Sequence, residues 1–282
     1  MSQPTIAVTG ATGFIGGHAA RTLADAGVPA RLLVRNPDRA PKLAAAEVAV
    51  AAFGDQSGVE RALQGIQTVL MVSAEESATR LAEHKSFIDG AAAAGVRHIV
   101  YTSFMSAAPD AVFTLARDHF ATEELIKDSG MAWTFLRDNF YLDFMSRMVG
   151  DDGVIRGPAG EGRAALVSRG DVATAAAAIL QNPDAHAGRS YELTGPEALT
   201  MGEVAEILST GLGRTTTFHN ESVAEAYESR KAWEAPQWQY DAWVSTYTAI
   251  ASRAMEHVSS SVEEITGHPP QSLAEFLAGA ED

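Results

Sequence analysis

Apolar positions in the first half of the chain fall into short β-branched runs, separated by longer stretches with helical spacing. The runs at 5–8, 31–34, 48–52, 68–72, 98–102 and 133–136 predict strands, and 15–26, 40–46, 59–63, 79–94 and 119–128 predict the helices between them. The strand runs are nearly continuous in apolar character rather than alternating, as expected of strands covered on both faces. Gly27 and Gly95 stand where a helix should stop, shortly ahead of an incoming strand. This alternation predicts an α/β fold built on a doubly wound parallel sheet with right-handed crossovers.

After Arg137 the rhythm loosens. Residues 150–163 (GDDGVIRGPAGEGR) read as a glycine-rich loop, followed by a short strand, a helix at 172–180, a strand at 190–193 and a helix at 201–208. The segment 220–282 is helical in composition and carries Trp233, Trp238 and Trp243, whose spacing of five does not keep them on one helical face. Some of these indoles are expected in packing or dimer contacts, or one in a cleft wall.

Composition narrows the function. With 282 residues, 46% hydrophobic and 20% charged, the chain suits one large domain with a smaller appendage and excludes extensive disorder. It has no cysteine, which removes disulfides and thiolate chemistry. The eight histidines show no metal-ligand spacing, so no metal is expected. The balance of 36 acidic against 21 basic residues, net −15, disfavours nucleic acid. MSQPTIAV enters a strand at once and no apolar run spans a bilayer, so no membrane association and a cytoplasmic location are expected.

The stretch TGATGFIGG, residues 9–17, carries the clearest chemistry. Gly10, Gly13 and Gly16 lie directly between a strand and a helix, where glycine permits a sharp turn, close approach to a pyrophosphate and tight helix–strand packing. Thr12 adds a hydroxyl, and the first turn at Phe14, Ile15 and Gly16 offers backbone N–H groups to a diphosphate. The alternative, a glycine-rich turn with no ligand, suits this strand–loop–helix setting less well. Arg35 ends the second strand, where dinucleotide folds read the adenosine ribose, and an arginine there attracts a 2′-phosphate. It therefore points to NADP(H), against the alternative of a solvated surface arginine. Asp55, after the third strand, is either an adenine neighbour or an ordinary turn aspartate.

TGATGFIGG, VRNPDRA, VSAEE and HIVYTS, followed by DHFATEELIKDSGMAWTFLRDNFY, resemble the NmrA-like group of atypical short-chain dehydrogenases. Within it, the resemblance is to the branch of NADPH-dependent quinone oxidoreductase type 2 and triphenylmethane reductase. It runs from about residue 5 to 193 and continues more weakly through GPEALTMGEVAEIL. It implies a Rossmann-type NADP(H)-binding domain over 1–150, with a later contribution from about 163–194, and a smaller, mainly helical substrate-side region over 195–282. The substrate cleft would lie between them. Cofactor contacts are implied at Val72, Ser73, Ala74 and Glu75, at Arg137, Asp138, Asn139, Phe140 and Tyr141, and at Arg169. Each leaves the carboxyl end of a predicted strand or follows one, where open sheets bind ligands. For Arg137 a structural ion pair is an equal alternative.

The usual catalyst of the larger superfamily, a tyrosine with a lysine four residues on, is missing. The helix that should hold it reads RDHFATEELIKDSG; Tyr101 and Tyr141 are followed at i+4 by Met105 and Met145. Tyr227 and Lys231 match literally, but they lie in the C-terminal region and read as a chance match. His119 is a candidate proton donor, or else a structural partner of Glu123 at i+4. Tyr141 and Ser103 are further candidates, and Phe104, Met105, Phe140 and Tyr141 suit either an aromatic pocket or plain core. Hydride transfer to a willing acceptor needs no acid from the protein. The expectation is an NADPH-dependent oxidoreductase acting on a quinone or similar conjugated small molecule, with a homodimer as one possible assembly. The alternatives are a non-catalytic NADP(H) sensor that regulates a partner, and a biosynthetic ketone or imine reductase.

Overall fold

The structure, a computed structural model, describes residues 3–279. In chain order, β1 (Ile6–Thr9), α1 (Phe14–Asp25), β2 (Ala30–Val34), β3 (Ala46–Val50), α2 (Gln56–Ala62), β4 (Thr68–Met71), α3 (Arg80–Ala93), β5 (His98–Phe104), α4 (Thr114–Asp128) and β6 (Ala132–Asp138) form the alternating half. Then follow β7 (Val154–Gly157), β8 (Arg163–Ala164), α5 (Arg169–Gln181), β9 (Arg189–Leu193), β10 (Leu199–Thr200) and α6 (Met201–Gly211). The chain continues through β11 (Thr217–Asn220), α7 (Val223–Arg230), α8 (Gln237–Ala251), α9 (Ser261–Thr266) and α10 (Leu273–Ala278).

The central sheet has seven strands in the order β3-β2-β1-β4-β5-β6-β9. The pairings of β1 with β2 and β4, of β2 with β3 and of β4 with β5 are all parallel. The order reverses between β1 and β4, the switch point at which such sheets bind nucleotides. The strands nearest that point, β1, β4 and β5, are buried along their whole length, which explains their unbroken apolar character. β3, at the edge, alternates poorly and leaves Val48 and Val50 exposed. Beneath the sheet, Val59, Leu63, Ile66, Phe87, Ile88, Ile126 and Phe135 pack with Val69, Met71, Ile99 and Tyr101 into a continuous core.

The chain divides into two compact units. The first runs to Phe104 and adds Asp118–Arg137 and Gly170–Tyr191; the second takes Met105–Arg117, Asp138–Arg169 and the chain from Glu192 onward. The second unit carries two small sheets, β8 with β10 antiparallel and β7 with β11 parallel, and the helices α6 to α10. Capping boxes start α6, α7 and α10 at Thr200, Ser222 and Ser272. Trp233 is exposed and packs edge-to-face on Trp243 at 6.2 Å between ring centroids. No helix among the described residues is long and apolar enough to cross a membrane.

Three predicted elements differ. The segment 150–163, read as loop, carries the strand β7, which pairs with the distant β11. The helix expected at 40–46 does not form: Pro37–Arg39 make a single 3-10 turn capped by Asn36, and Ala40 is extended. Pro41 disfavours helix at the residue before it and lacks the N–H a helix would use, which overrides the alanine-rich composition. The helix expected from residue 119 begins at Thr114, so His119 lies inside α4 rather than at its start.

Candidate cofactor and active site

The glycine loop is shaped by close contacts. Gly10 has φ +63°, a left-handed conformation, and its carbonyl accepts the Gly13 N–H at 2.8 Å. A Cβ at Gly16 would lie 2.4 Å from the Thr9 carbonyl oxygen, so only glycine lets α1 rise this close to β1. Gly17 is nearly as confined, with the Ala11 carbonyl at 2.9 Å. Gly13 precedes the helix without a side-chain cap, and the first turn holds no acid, so its N–H groups and dipole suit an anion.

A cavity of about 700 Å³ opens beside this loop, within the first unit. The sequence-predicted residues Gly10, Thr12, Arg35, Val72, Ser73, Ala74 and Glu75 come together in its wall. Phe53, Glu76, Ser77, Glu83 and Phe87 join them unforeseen. They follow the carboxyl ends of β3 and β4 or sit on the next helix, a placement visible only once those strands are neighbours. Asp55 is absent from the wall; it caps α2, accepting the Gly58 N–H at 3.0 Å. Phe14 is exposed and stacked on His18, and Ile15 is buried, so in the first turn it is the backbone that is offered.

The cavity's chemistry is divided. Arg35 is exposed and makes no ion pair among the described residues, leaving its guanidinium open to a phosphate. Glu75, Glu76 and Glu83 suit donors such as ribose hydroxyls or an amide. Burial raises the Glu76 carboxyl above the usual range, partly offset by Arg80. A cradle closed by Gly16, an uncapped helix start and an open arginine fit a dinucleotide carrying a 2′-phosphate.

The wall after β4 is fixed from behind. The Val72 N–H donates to Thr9 Oγ1, the Ser73 N–H to Thr102 Oγ1 and the Ala74 N–H to His84 Nε2, each at 2.9 Å. His84 is buried on α3, and burial followed by the Arg80 charge pushes its pKa down to about 3.

α4 turns a polar face inward. His119 is buried; its Nε2 is 3.1 Å from an Arg80 guanidinium nitrogen and its Nδ1 2.9 Å from the Tyr101 hydroxyl. Arginine can only donate, so Nε2 accepts and Nδ1 carries the proton. Burial, Arg80 and His84 hold the His119 pKa well below its ordinary value. The expected partnership of His119 with Glu123 is not made, and His119 is not an exposed proton donor. Glu123, fully buried, instead takes Arg137 through two nitrogens at 2.9 and 2.6 Å and the Ser103 hydroxyl at 2.6 Å. Ser103 is thereby buried and committed to a carboxylate rather than open to a substrate.

The remaining candidates have structural ties. Tyr141 donates a short hydrogen bond to Asp138, and burial and that carboxylate raise the phenol's pKa well above its ordinary value. The Asn139 amide donates to the Met255 carbonyl at 2.9 Å and contacts Met105 Sδ at 3.2 Å, so its side chain is spent within the second unit. Arg169 pairs with Asp143 at 2.8 Å and lies over the Phe144 ring. Phe104 and Met105 are 7% and 2% exposed and do not line this cavity, and Phe140 packs edge-on against Phe113. Tyr227 donates to Asp241 while Lys231 pairs with Glu228, so this tyrosine and lysine do not assemble. Among the described residues no cluster could hold a metal ion.

This fold, with its glycine cradle at the switch point, defines a nucleotide-binding α/β protein of the short-chain dehydrogenase type. The model of the NmrA-like family matches residues 2–232, and the chain belongs to that family. It is 34% identical to quinone oxidoreductase 2 of Escherichia coli over 281 residues, 97% of each chain. It is 35% identical to (4-alkanoyl-5-oxo-2,5-dihydrofuran-3-yl)methyl phosphate reductase of Streptomyces griseus over 278 residues, covering 97% of this chain and 96% of that one. Among solved structures, the E. coli NADPH-dependent quinone oxidoreductase complexed with NADPH superposes with a TM-score of 0.89 at 31% identity, covering 98% of this chain and all of that one. Triphenylmethane reductase of a Citrobacter species, complexed with NADP(H), gives a TM-score of 0.85 at 28% identity, with 98% and 99% covered.

Proposed function

We propose that the chain is an NADPH-preferring reductase that delivers hydride to a quinone or a similar conjugated, electron-poor small molecule. At the coarser level it is an NAD(P)H-dependent oxidoreductase of the quinone-reductase type, in keeping with its relatives. The observation that carries the NADPH preference is Arg35, open beside a cradle with no other basic residue in its wall. When bound, the reduced nicotinamide supplies the hydride. The loop amides at Gly10–Gly13 and the start of α1 take the diphosphate, Arg35 the 2′-phosphate, and the wall from Val72 to Glu75 the donor groups of the sugar and base.

The acceptor class follows from what the candidate acids do. His119 is buried and neutral, Ser103 is bound to Glu123, and the Tyr141 phenol is held by Asp138. A conjugated acceptor spreads the charge it gains and takes its proton from solvent, so it needs none of them. A quinone, an oxo-dihydrofuran bearing an alkanoyl group and a triphenylmethane dye, the molecules for which the relatives are named, share that electron-poor character. The test is the loss of NADPH absorbance against a panel of quinones, dyes, enones, simple ketones and imines. Oxidation with the conjugated members alone is expected. Tight binding of both redox forms without oxidation would instead support a regulatory role, and turnover confined to ketones or imines a biosynthetic one.

A further inference from the structure

Behind the cavity wall runs a hydrogen-bond chain whose polarity is fixed at both ends. At one end the Ala74 N–H can only donate, so His84 Nε2, 2.9 Å away, must accept. At the other end the Thr122 hydroxyl donates to the Asp118 carbonyl at 2.8 Å, which leaves its oxygen to accept from His84 Nδ1 at 2.9 Å. His84 and Thr122 are both fully buried, so no solvent can substitute for either partner. The ring is consequently neutral and carries its proton on Nδ1. Ala74 lines the cavity, whereas neither His84 nor Thr122 does. Every member lies in the first unit.

We propose that Thr122 and His84 are positioning residues for the cofactor site: Thr122 accepts from Nδ1–H and so fixes the His84 ring, and Nε2 then holds the Ala74 peptide in the orientation the cavity requires. The inference rests on the reading of this cavity as the NADPH site. It gives α4, which lacks the tyrosine and lysine of the larger superfamily, a different task. Its residue 122 reaches the cofactor wall indirectly, through a histidine on α3.

Without the Thr122 hydroxyl, a proton left on Nδ1 has no acceptor, and a buried unsatisfied donor is costly. Moving that proton to Nε2 would set it against the Ala74 N–H, two donors face to face, so it stays on Nδ1. The untethered ring turns to seek another acceptor, Nε2 leaves the Ala74 N–H, and the wall loosens with it. Thr122→Val is nearly isosteric and tests this with little change in packing; Thr122→Ser restores the hydroxyl.

Three readouts separate the possibilities. Nitrogen NMR of His84 should report Nδ1–H in all three proteins, with the Nε2 resonance moved toward that of an unbonded ring nitrogen in Thr122→Val alone. Amide exchange at Ala74, measured without cofactor, should quicken about tenfold or more in Thr122→Val alone. The NADPH dissociation constant should rise about five- to tenfold in Thr122→Val and stay within about twofold in Thr122→Ser, the loss of one hydrogen bond setting that scale. Nε2–H in the wild type, or unchanged Ala74 exchange and NADPH affinity in Thr122→Val, overturns the proposal. If the Nε2 resonance and the exchange respond as stated but the wild type does not bind NADPH, the positioning holds and the cofactor reading is what fails.

Discussion

At the scale of single residues, the glycine loop is the part of the site most legible in the sequence, because its constraints are local. Gly16 is required by the Thr9 carbonyl, and Gly16→Ala is expected to cost roughly 3 kcal/mol, since a backbone oxygen cannot move aside as a side chain can. Urea unfolding should show a lower midpoint with an unchanged slope, alongside loss of NADPH binding. Arg35 was legible for the same reason, by its place at the end of β2. Glu76, Ser77, Glu83 and Phe87 were not, because their place in the wall depends on tertiary neighbours. His119 shows the opposite failure: spacing offers it Glu123, but packing gives it Arg80 and Tyr101.

At the scale of elements, α4 joins the ends of two strands through buried polar groups. Glu123 receives Ser103 of β5 and Arg137 of β6, and the pair with Arg137 has 0% and 24% side-chain exposure. Removing one partner of such a pair leaves a charge poorly compensated, so Glu123→Ala should lose about 3 kcal/mol in urea unfolding. Glu123→Gln should lose less, because it still accepts from Ser103. Unaltered stability in Glu123→Ala would show that the pair contributes nothing net. The strands were legible from their apolar runs, and α4 itself from helical spacing. The 40–46 segment was misread because composition favoured a helix that Pro41 disfavours. The start of α4 at Thr114 is not foreseen because its first N–H is taken by the distant Ser245 Oγ.

At the scale of the whole molecule, the buried histidines link stability to pH. His84 and His119 are neutral in the fold, with pKa values pushed below the ordinary 6.5 by burial and Arg80. The unfolded chain binds those protons first, so the stability is intact above about pH 6.5 and is lost as pH falls below it. Between pH 6.5 and 5 the two groups together account for a loss on the order of 2–4 kcal/mol. Glu76 and Asp118, whose carboxyls burial raises, act in the opposite sense and temper it. Urea unfolding across this range should show the decline, and a flat profile would contradict the buried neutral assignment. The parallel sheet could be foreseen from the strand–helix rhythm. The interleaving of the two units could not, since Met105–Arg117 and Asp138–Arg169 join the second unit through contacts distant in sequence. The choice of coenzyme turns on the cavity beside the glycine loop and on Arg35 within it. The most direct test is to titrate NADPH and NADH into the wild type and Arg35→Ala. The wild type should bind NADPH at least about tenfold more tightly, and the substitution should weaken NADPH about ten- to a hundredfold while leaving NADH within about twofold. Equal losses for both coenzymes, or a wild type without preference, would contradict it.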